Sequence, residues 1–231
     1  MRATAVAKKG AIKIIEGRRR QPYLALLFSE LGLIVIYPFL TGIAYRDEIF
    51  RLLAVIVFSS ALYSLMGRGK VTTIALILGA PAIAFRLVHI VEHRPLFKVP
   101  DEVLGIVFLT FVTGVLVWSI VKNPSVTGDT LAGAVSAYFL IGITFGVAYM
   151  MIDGLMPGSF KDTVVPGKQF TPADFTFFSF VTLTTVGYGD IVPWAAHARS
   201  LAIIESVIGI MYPAVLISRL VGLHGRKREE E

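Results

Sequence analysis

Apolar residues run along this chain in long blocks, without the every-second-residue alternation of strands, and each block is broken by proline, glycine or clustered charge. A helix needs about 20 such residues to cross a hydrocarbon core of about 30 Å. The pattern predicts spans at Tyr23–Leu40, Ile49–Met66, Val71–Val91, Val103–Val121, Leu131–Ile152 and Arg199–Leu223. A further apolar stretch, Phe175–Val186, has only 12 residues. It is too short to cross and reads as a re-entrant segment, entering and leaving on one side. The expected fold class is an all-α membrane protein with six transmembrane helices plus a re-entrant helix and loop.

Composition sharpens the picture. The 231 residues are 55% hydrophobic and 16% charged, so the loops are too short for a separate folded enzyme domain. No cysteine is present, which excludes disulfides, thiolate nucleophiles and cysteine metal sites. The net charge of +6 sits at the chain ends and in alternate loops, and no nucleic-acid partner is expected. Fourteen of the 22 basic residues fall on the side of the termini, among them Lys8, Lys9, Arg18, Arg19, Arg20, Arg68, Lys70, Lys122 and Arg226. The positive-inside rule then places both termini in the cytoplasm of a multi-pass cell-membrane protein. The first span lies behind a basic stretch and lacks a small-residue cleavage site, so it is expected to remain. Residues 1–22 form a basic cytoplasmic segment that reads either as an interfacial helix on anionic lipid or as a tail that only enforces topology.

Chemistry concentrates between the last two spans. Thr171, Pro172 and Asp174 are a helix start: a capping residue, proline at the first helical position and an acid in the first turn. The short helix is expected to run to about Thr184 and to aim its C-terminal, negative end at mid-membrane. The chain then reads Thr185-Val186-Gly187-Tyr188-Gly189-Asp190, with glycines at alternate positions that admit positive φ. Such alternation lets successive carbonyls point one way. Four copies around an axis would stack rings of oxygens able to replace the hydration shell of a cation.

Thr184-Thr185-Val186-Gly187-Tyr188-Gly189-Asp190 resembles the selectivity-filter signature of the tetrameric potassium channels. The resemblance covers about Leu131–Leu223. It implies a homotetramer, K⁺ ions as the only bound species, and coordination by the carbonyls of Thr185, Val186, Gly187 and Tyr188 with the Thr185 hydroxyl at the inner end, up to Gly189. Val186 and Tyr188 are expected to point away into supporting protein. Thr184 and Asp190 flank the filter, and Phe177 and Phe178 match positions where the family packs an aromatic cuff. Where some members carry a bracing acid, this sequence has Val181. Gly209 falls at the family's inner-helix hinge, and Pro213 leaves the carbonyl of Gly209 without its amide partner; a static packing kink is the alternative. Glu205 is expected to hydrogen-bond to the pore helix at Thr182 or Thr184, or else to face water.

The implied organisation is a basic segment at 1–22, a four-helix peripheral domain at 23–125, a pore domain at 126–224 and a cytoplasmic tail at 225–231. Val103–Val121 contains no Lys, Arg, Asp or Glu, so moving that helix through the field transfers no charge and steep voltage gating has no energy source. Eight residues follow Leu223, too few for a cytosolic ligand-binding domain, so an intrinsic, lipid-driven or separate-subunit gate is expected. Glu30 and Arg86 lie inside early spans at different depths; Arg86 is expected to reach Asp101, Glu102 or Glu92. His89 and His93 are a weak candidate for a proton-sensitive cluster. The leading reading is a passive potassium-selective channel and not an enzyme. A poorly selective cation pore and a non-conducting sensor or regulatory subunit on the same scaffold stand as alternatives.

Overall fold

The computed structural model describes residues 21–40, 45–92, 98–122 and 127–229. The chain is helical almost throughout: α1 (Pro22–Ile36, followed by a 3₁₀ turn at Tyr37–Leu40), α2 (Arg46–Ser64), α3 (Lys70–Glu92), α4 (Lys98–Lys122), α5 (Gly128–Leu155), α6 (Pro172–Leu183) and α7 (Ala196–Glu229). A helix therefore stands at each of the six expected places, with the short α6 where the re-entrant segment is expected. Among the described residues four segments are long and apolar enough to cross a membrane: Lys70–Val88, Val99–Lys122, Gly128–Leu155 and Ala196–Arg219. The 15 residues of α1 rise only about 22 Å at 1.5 Å each. The first turns of α2 carry Arg46, Asp47, Glu48 and Arg51. Calls on the basic N-terminal segment, His93 and the side chains of His89, Glu92 and Arg226 fall outside the described residues.

Helices α1 to α5 share one apolar core, with Leu26, Leu33, Phe58, Phe108, Leu109, Leu116 and Leu140 at its centre. Within this core Arg86 donates from Nε to Asp101 Oδ1 at 3.0 Å, and its guanidinium lies 4.3 Å from the centre of the Phe58 ring. Asp101 is thus a partner for Arg86, one of the three acids expected. Glu30 is fully buried; its carboxylate lies beside the Ser136 side chain but accepts no hydrogen bond of good geometry from a described residue.

A second core joins α5, α6 and α7 around Tyr149, Phe160, Phe175, Phe178, Ile191 and Ala198. Part of it is a feature the all-α expectation lacks: β1 (Phe160–Asp162) pairs antiparallel with β2 (Ile191–Pro193), with Lys161 opposite Val192. This two-strand clip closes the loop on either side of α6, fixing both ends of the segment that carries the candidate chemistry.

Candidate functional site

The local start of α6 is built as its residues dictate. The Thr171 hydroxyl accepts from the Asp174 amide at 3.4 Å, and Asp174 Oδ2 accepts from the Thr171 amide at 2.7 Å, a reciprocal capping box. Lys168 adds an ion pair to Asp174 at 2.8 Å and a longer one to Asp162 at 3.5 Å. Burial pushes the Asp174 carboxyl up, but the hydrogen bonds from Lys168 and Thr171 outweigh it and hold the group below its ordinary range. The Val165 and Val164 amides, with Lys168, do the same for Asp162. The Lys168 ammonium is raised in turn by its bond to Asp174.

At the other end α6 stops at Leu183, with Thr184 as its C-cap and the Thr184 hydroxyl donating to Phe180 O at 2.6 Å. The next residues have φ of +60° at Thr185, +57° at Gly187 and +79° at Gly189. Positive φ at alternate residues is the expected pattern for the two glycines. Thr185 is the addition, and a β-branched residue holds this conformation only under constraint. The constraint is visible in the amides. Those of Val186 and Gly187 donate back to Val181 O at 3.0 and 3.3 Å, and that of Thr185 to Thr182 O at 3.0 Å. Val181, which brings no acid side chain, thus ties the loop through its carbonyl.

With the amides turned inward, the carbonyls are left over. Among the described residues none donates to the backbone oxygens of Thr185, Val186, Gly187 or Tyr188. The Gly189 carbonyl differs, accepting from the Thr163 hydroxyl at 2.7 Å. The Thr163 amide reaches Asp190 O at 2.8 Å, and the Asp190 carboxylate accepts from the Ile191 amide at 2.9 Å. Thr163, which the sequence reading does not single out, therefore straps the outer end of the loop.

Side-chain placement corrects several expectations. Phe177 stacks on Tyr188, with ring planes 3° apart and centroids 6.1 Å apart. Phe178 does not join it. Neighbours on a helix point about 100° apart, and Phe178 turns into the buried core, edge-on to Tyr149 and Phe160 at 5.0 and 5.4 Å. Val186 and Tyr188 are 53% and 70% exposed, so their own chain covers them only in part.

Glu205 meets the pore helix, but not at Thr182 or Thr184. Its Oε1 accepts from the Ser179 hydroxyl and its Oε2 from the Tyr149 hydroxyl at 2.6 Å, and the residue is fully buried. One carboxyl thereby joins α5, α6 and α7 behind the loop. A lone serine in the aromatic run Phe177-Phe178-Ser179-Phe180 is the signal that points to this contact, because a buried hydroxyl needs a partner.

At Gly209 the structure shows a close approach. A Cβ there would lie 1.9 Å from Leu183 O, the last residue of α6. Tyr138 also donates to that oxygen, at 3.3 Å. The helix runs without a break through Pro213. Glycine at this position is accordingly required by packing against the pore helix, whatever part it takes in bending.

Relatives fit this geometry. A family described as "Ion channel" matches residues 136–223, from α5 into α7. Protein LctB of Geobacillus stearothermophilus is 31% identical over 125 residues, 49% of this chain and 92% of that protein. Two pore potassium channel c of Oryza sativa subsp. japonica is 35% identical over 85 residues, 37% of this chain but 17% of that longer protein. Inward rectifier potassium channel Kirbac3.1 of Paramagnetospirillum magnetotacticum is 31% identical over 85 residues, 35% of this chain and 25% of its own length. No solved structure gives a significant match. With nearly the whole of LctB covered and the channel segment placed on the loop and its two flanking helices, the chain belongs to the family of the LctB proteins and carries at residues 136–223 an ion-channel domain homologous to those of potassium channels.

Proposed function

We propose that Thr185–Gly189 form the selectivity filter of a homotetrameric, potassium-selective channel that conducts passively. The observation that carries this reading is the run of four backbone carbonyls, Thr185 to Tyr188, that accept nothing from the described residues while the amides of Thr185, Val186 and Gly187 are tied to α6. On an exposed loop such carbonyls are open to water, and enclosed around an axis they are costly unless an ion coordinates them. Four such strands around an axis supply stacked oxygen cages for a dehydrated ion, and adjacent sites keep any one ion from binding too tightly to leave. The Thr185 hydroxyl closes the inner end.

Tetramer formation is supported by what one chain leaves uncovered. Ile203, Val207, Ile210 and Met211 of α7 are each more than half exposed, beside an apolar groove that also takes in Pro193 and Ala202. An apolar stripe of this kind suits a neighbouring copy or the pore lining. Helices α1 to α4 then form the peripheral domain 23–125, with both termini in the cytoplasm and the basic N-terminus at anionic headgroups. Without charge between Val103 and Val121, α4 gives voltage no handle.

The test is flux. Purified protein in liposomes is expected to pass K⁺, with a bi-ionic reversal potential that favours K⁺ over Na⁺, and Gly187→Asp is expected to abolish the current. Absence of any flux from a monodisperse tetramer overturns the channel reading, and equal K⁺ and Na⁺ permeability overturns selectivity.

A further inference from the structure

Between the peripheral helices and the pore domain lies a cavity of about 460 Å³. That is within the roughly 300–1,000 Å³ of small-molecule sites. Leu33, Val57 and Phe58 form its apolar wall on one side, and Ile143, Val147 and Met150 of α5 form it on the other. Pro172, Phe175 and Thr176, the first turns of α6, close one end.

Two opposite charges on this lining have nothing to bind. Arg51 of α2 makes no ion pair or hydrogen bond with any described residue. Asp153, in the last turn of α5, has a buried Oδ1 to which no described residue donates. The other cavity arginine, Arg86, is engaged with Asp101. A buried acceptor without a donor is expensive, as is an unsatisfied cation beside apolar walls. These two groups do not satisfy each other, and they belong to different halves of the molecule.

We propose that this cavity binds the headgroup of a zwitterionic phospholipid carrying a primary ammonium, its phosphate on Arg51 and its ammonium on Asp153, with the start of the acyl chains against the apolar walls. The three requirements select the ligand class. Arg51 calls for an anion that can take two N–H donors. Asp153 calls for a donor, which a primary ammonium has and a quaternary one lacks. The walls, in a multi-pass membrane protein, call for hydrocarbon. The bound lipid would bridge the peripheral domain to the first turns of the pore helix, so α6 would be positioned in part by the membrane itself.

The experiment counts lipids. The full chain is reconstituted in vesicles of phosphatidylethanolamine, phosphatidylcholine or phosphatidylglycerol, extracted in mild detergent and examined by native mass spectrometry. The wild type is expected to hold phosphatidylethanolamine through washing that strips phosphatidylcholine, a preference of about tenfold. Asp153→Asn is expected to erase that preference, and Arg51→Ala to lower retention of both lipids. Ala54→Leu, which adds bulk on a cavity residue without touching either charge, is expected to lower retention of every lipid. Equal retention of the two zwitterionic lipids by the wild type, or a preference that survives Asp153→Asn, overturns the proposal. Phosphatidylglycerol held above phosphatidylethanolamine also overturns it, by assigning the site to an anion. Soluble glycerophosphoethanolamine held as firmly as the lipid overturns the membrane source. Because the readout is bound lipid, a protein that retains phosphatidylethanolamine yet conducts nothing leaves this inference standing and removes only the channel reading.

Discussion

Cutting the Ser179–Glu205 contact is the sharpest way to ask what holds α6 behind the Thr185–Gly189 loop. Ser179 and Glu205 are both fully buried, and the Ser179 hydroxyl reaches Glu205 Oε1 and, at 2.6 Å, Gly142 O. Ser179→Ala removes one donor from a buried carboxyl group and leaves Glu205 with Tyr149 alone. Glu205→Val removes the acceptor and orphans the Tyr149 hydroxyl, while Ser179 keeps Gly142 O. A buried polar group deprived of its partner costs roughly 1–3 kcal/mol. The Tyr149 hydroxyl is equally orphaned in Glu205→Val and in the double variant, so it cancels in a double-mutant cycle. What survives is the Ser179–Glu205 coupling, expected at roughly 1–3 kcal/mol because residues in one network are non-additive. The assay is reversible unfolding of the four proteins in mixed micelles, with the K⁺/Na⁺ reversal potential measured alongside. Both single variants are expected to lose stability and to lower K⁺ preference, since the pore helix then has a looser seat. Strict additivity, with the double variant equal to the sum of the singles, would refute the idea that this contact is an energetic link between α6 and α7.

Three further outcomes are expected. Gly209→Ala places a Cβ 1.9 Å from Leu183 O, so it should destabilise the protein by about 1–3 kcal/mol or more through forced displacement of backbone. A thermal scan showing unchanged stability with altered open probability would instead assign this glycine to bending alone. Glu30→Leu removes a fully buried carboxyl whose two oxygens no described residue satisfies. It should raise the unfolding midpoint, because an apolar replacement of similar size relieves an unmet desolvation cost; a lowered midpoint would show that Glu30 has a stabilising partner. The Asp162–Lys168–Asp174 cluster should make the start of the pore helix pH-dependent at the extremes. Both carboxyls are depressed below 3.8, so their contribution is present above that value and is lost as pH falls through the lower folded pKa. Lys168 is raised above 10.5, so its contribution is present below that value and is lost as pH rises through the folded pKa. Protection of the α6 amides, corrected for the intrinsic pH dependence of exchange, should be flat between these limits and lower outside them, and Lys168→Met should move the acid limit upward and remove the alkaline one. Accelerated exchange at neutral pH in the unaltered protein would contradict the assignment.

Much of the site was legible in sequence because its rules are local. A capping threonine, a proline and an acid within four residues are enough to start α6, and its 12 residues appear where the pattern puts them. Gly187 and Gly189 take positive φ because no Cβ resists it, a fact readable from composition alone. The positions of α1 to α5 and α7 follow from the placement of apolar runs.

Partner choice was not legible, since it joins residues far apart in the chain. Glu205 finds Tyr149 across 56 positions and Ser179 across 26, and Thr163 finds Gly189 across 26. No periodicity or propensity reports such distances. The positive φ of Thr185 belongs here too, because only the amide contacts of the following residues with Val181 make it tolerable. Likewise the opposite fates of Phe177 and Phe178 depend on which face of α6 meets the core. The amino-acid order by itself determined where the chain is helical and where its backbone can reverse. Packing decided which carbonyls are left unbonded, which buried polar groups share a partner, and where a glycine is needed for contact, because those outcomes depend on atoms that only the folded chain brings within a few ångströms.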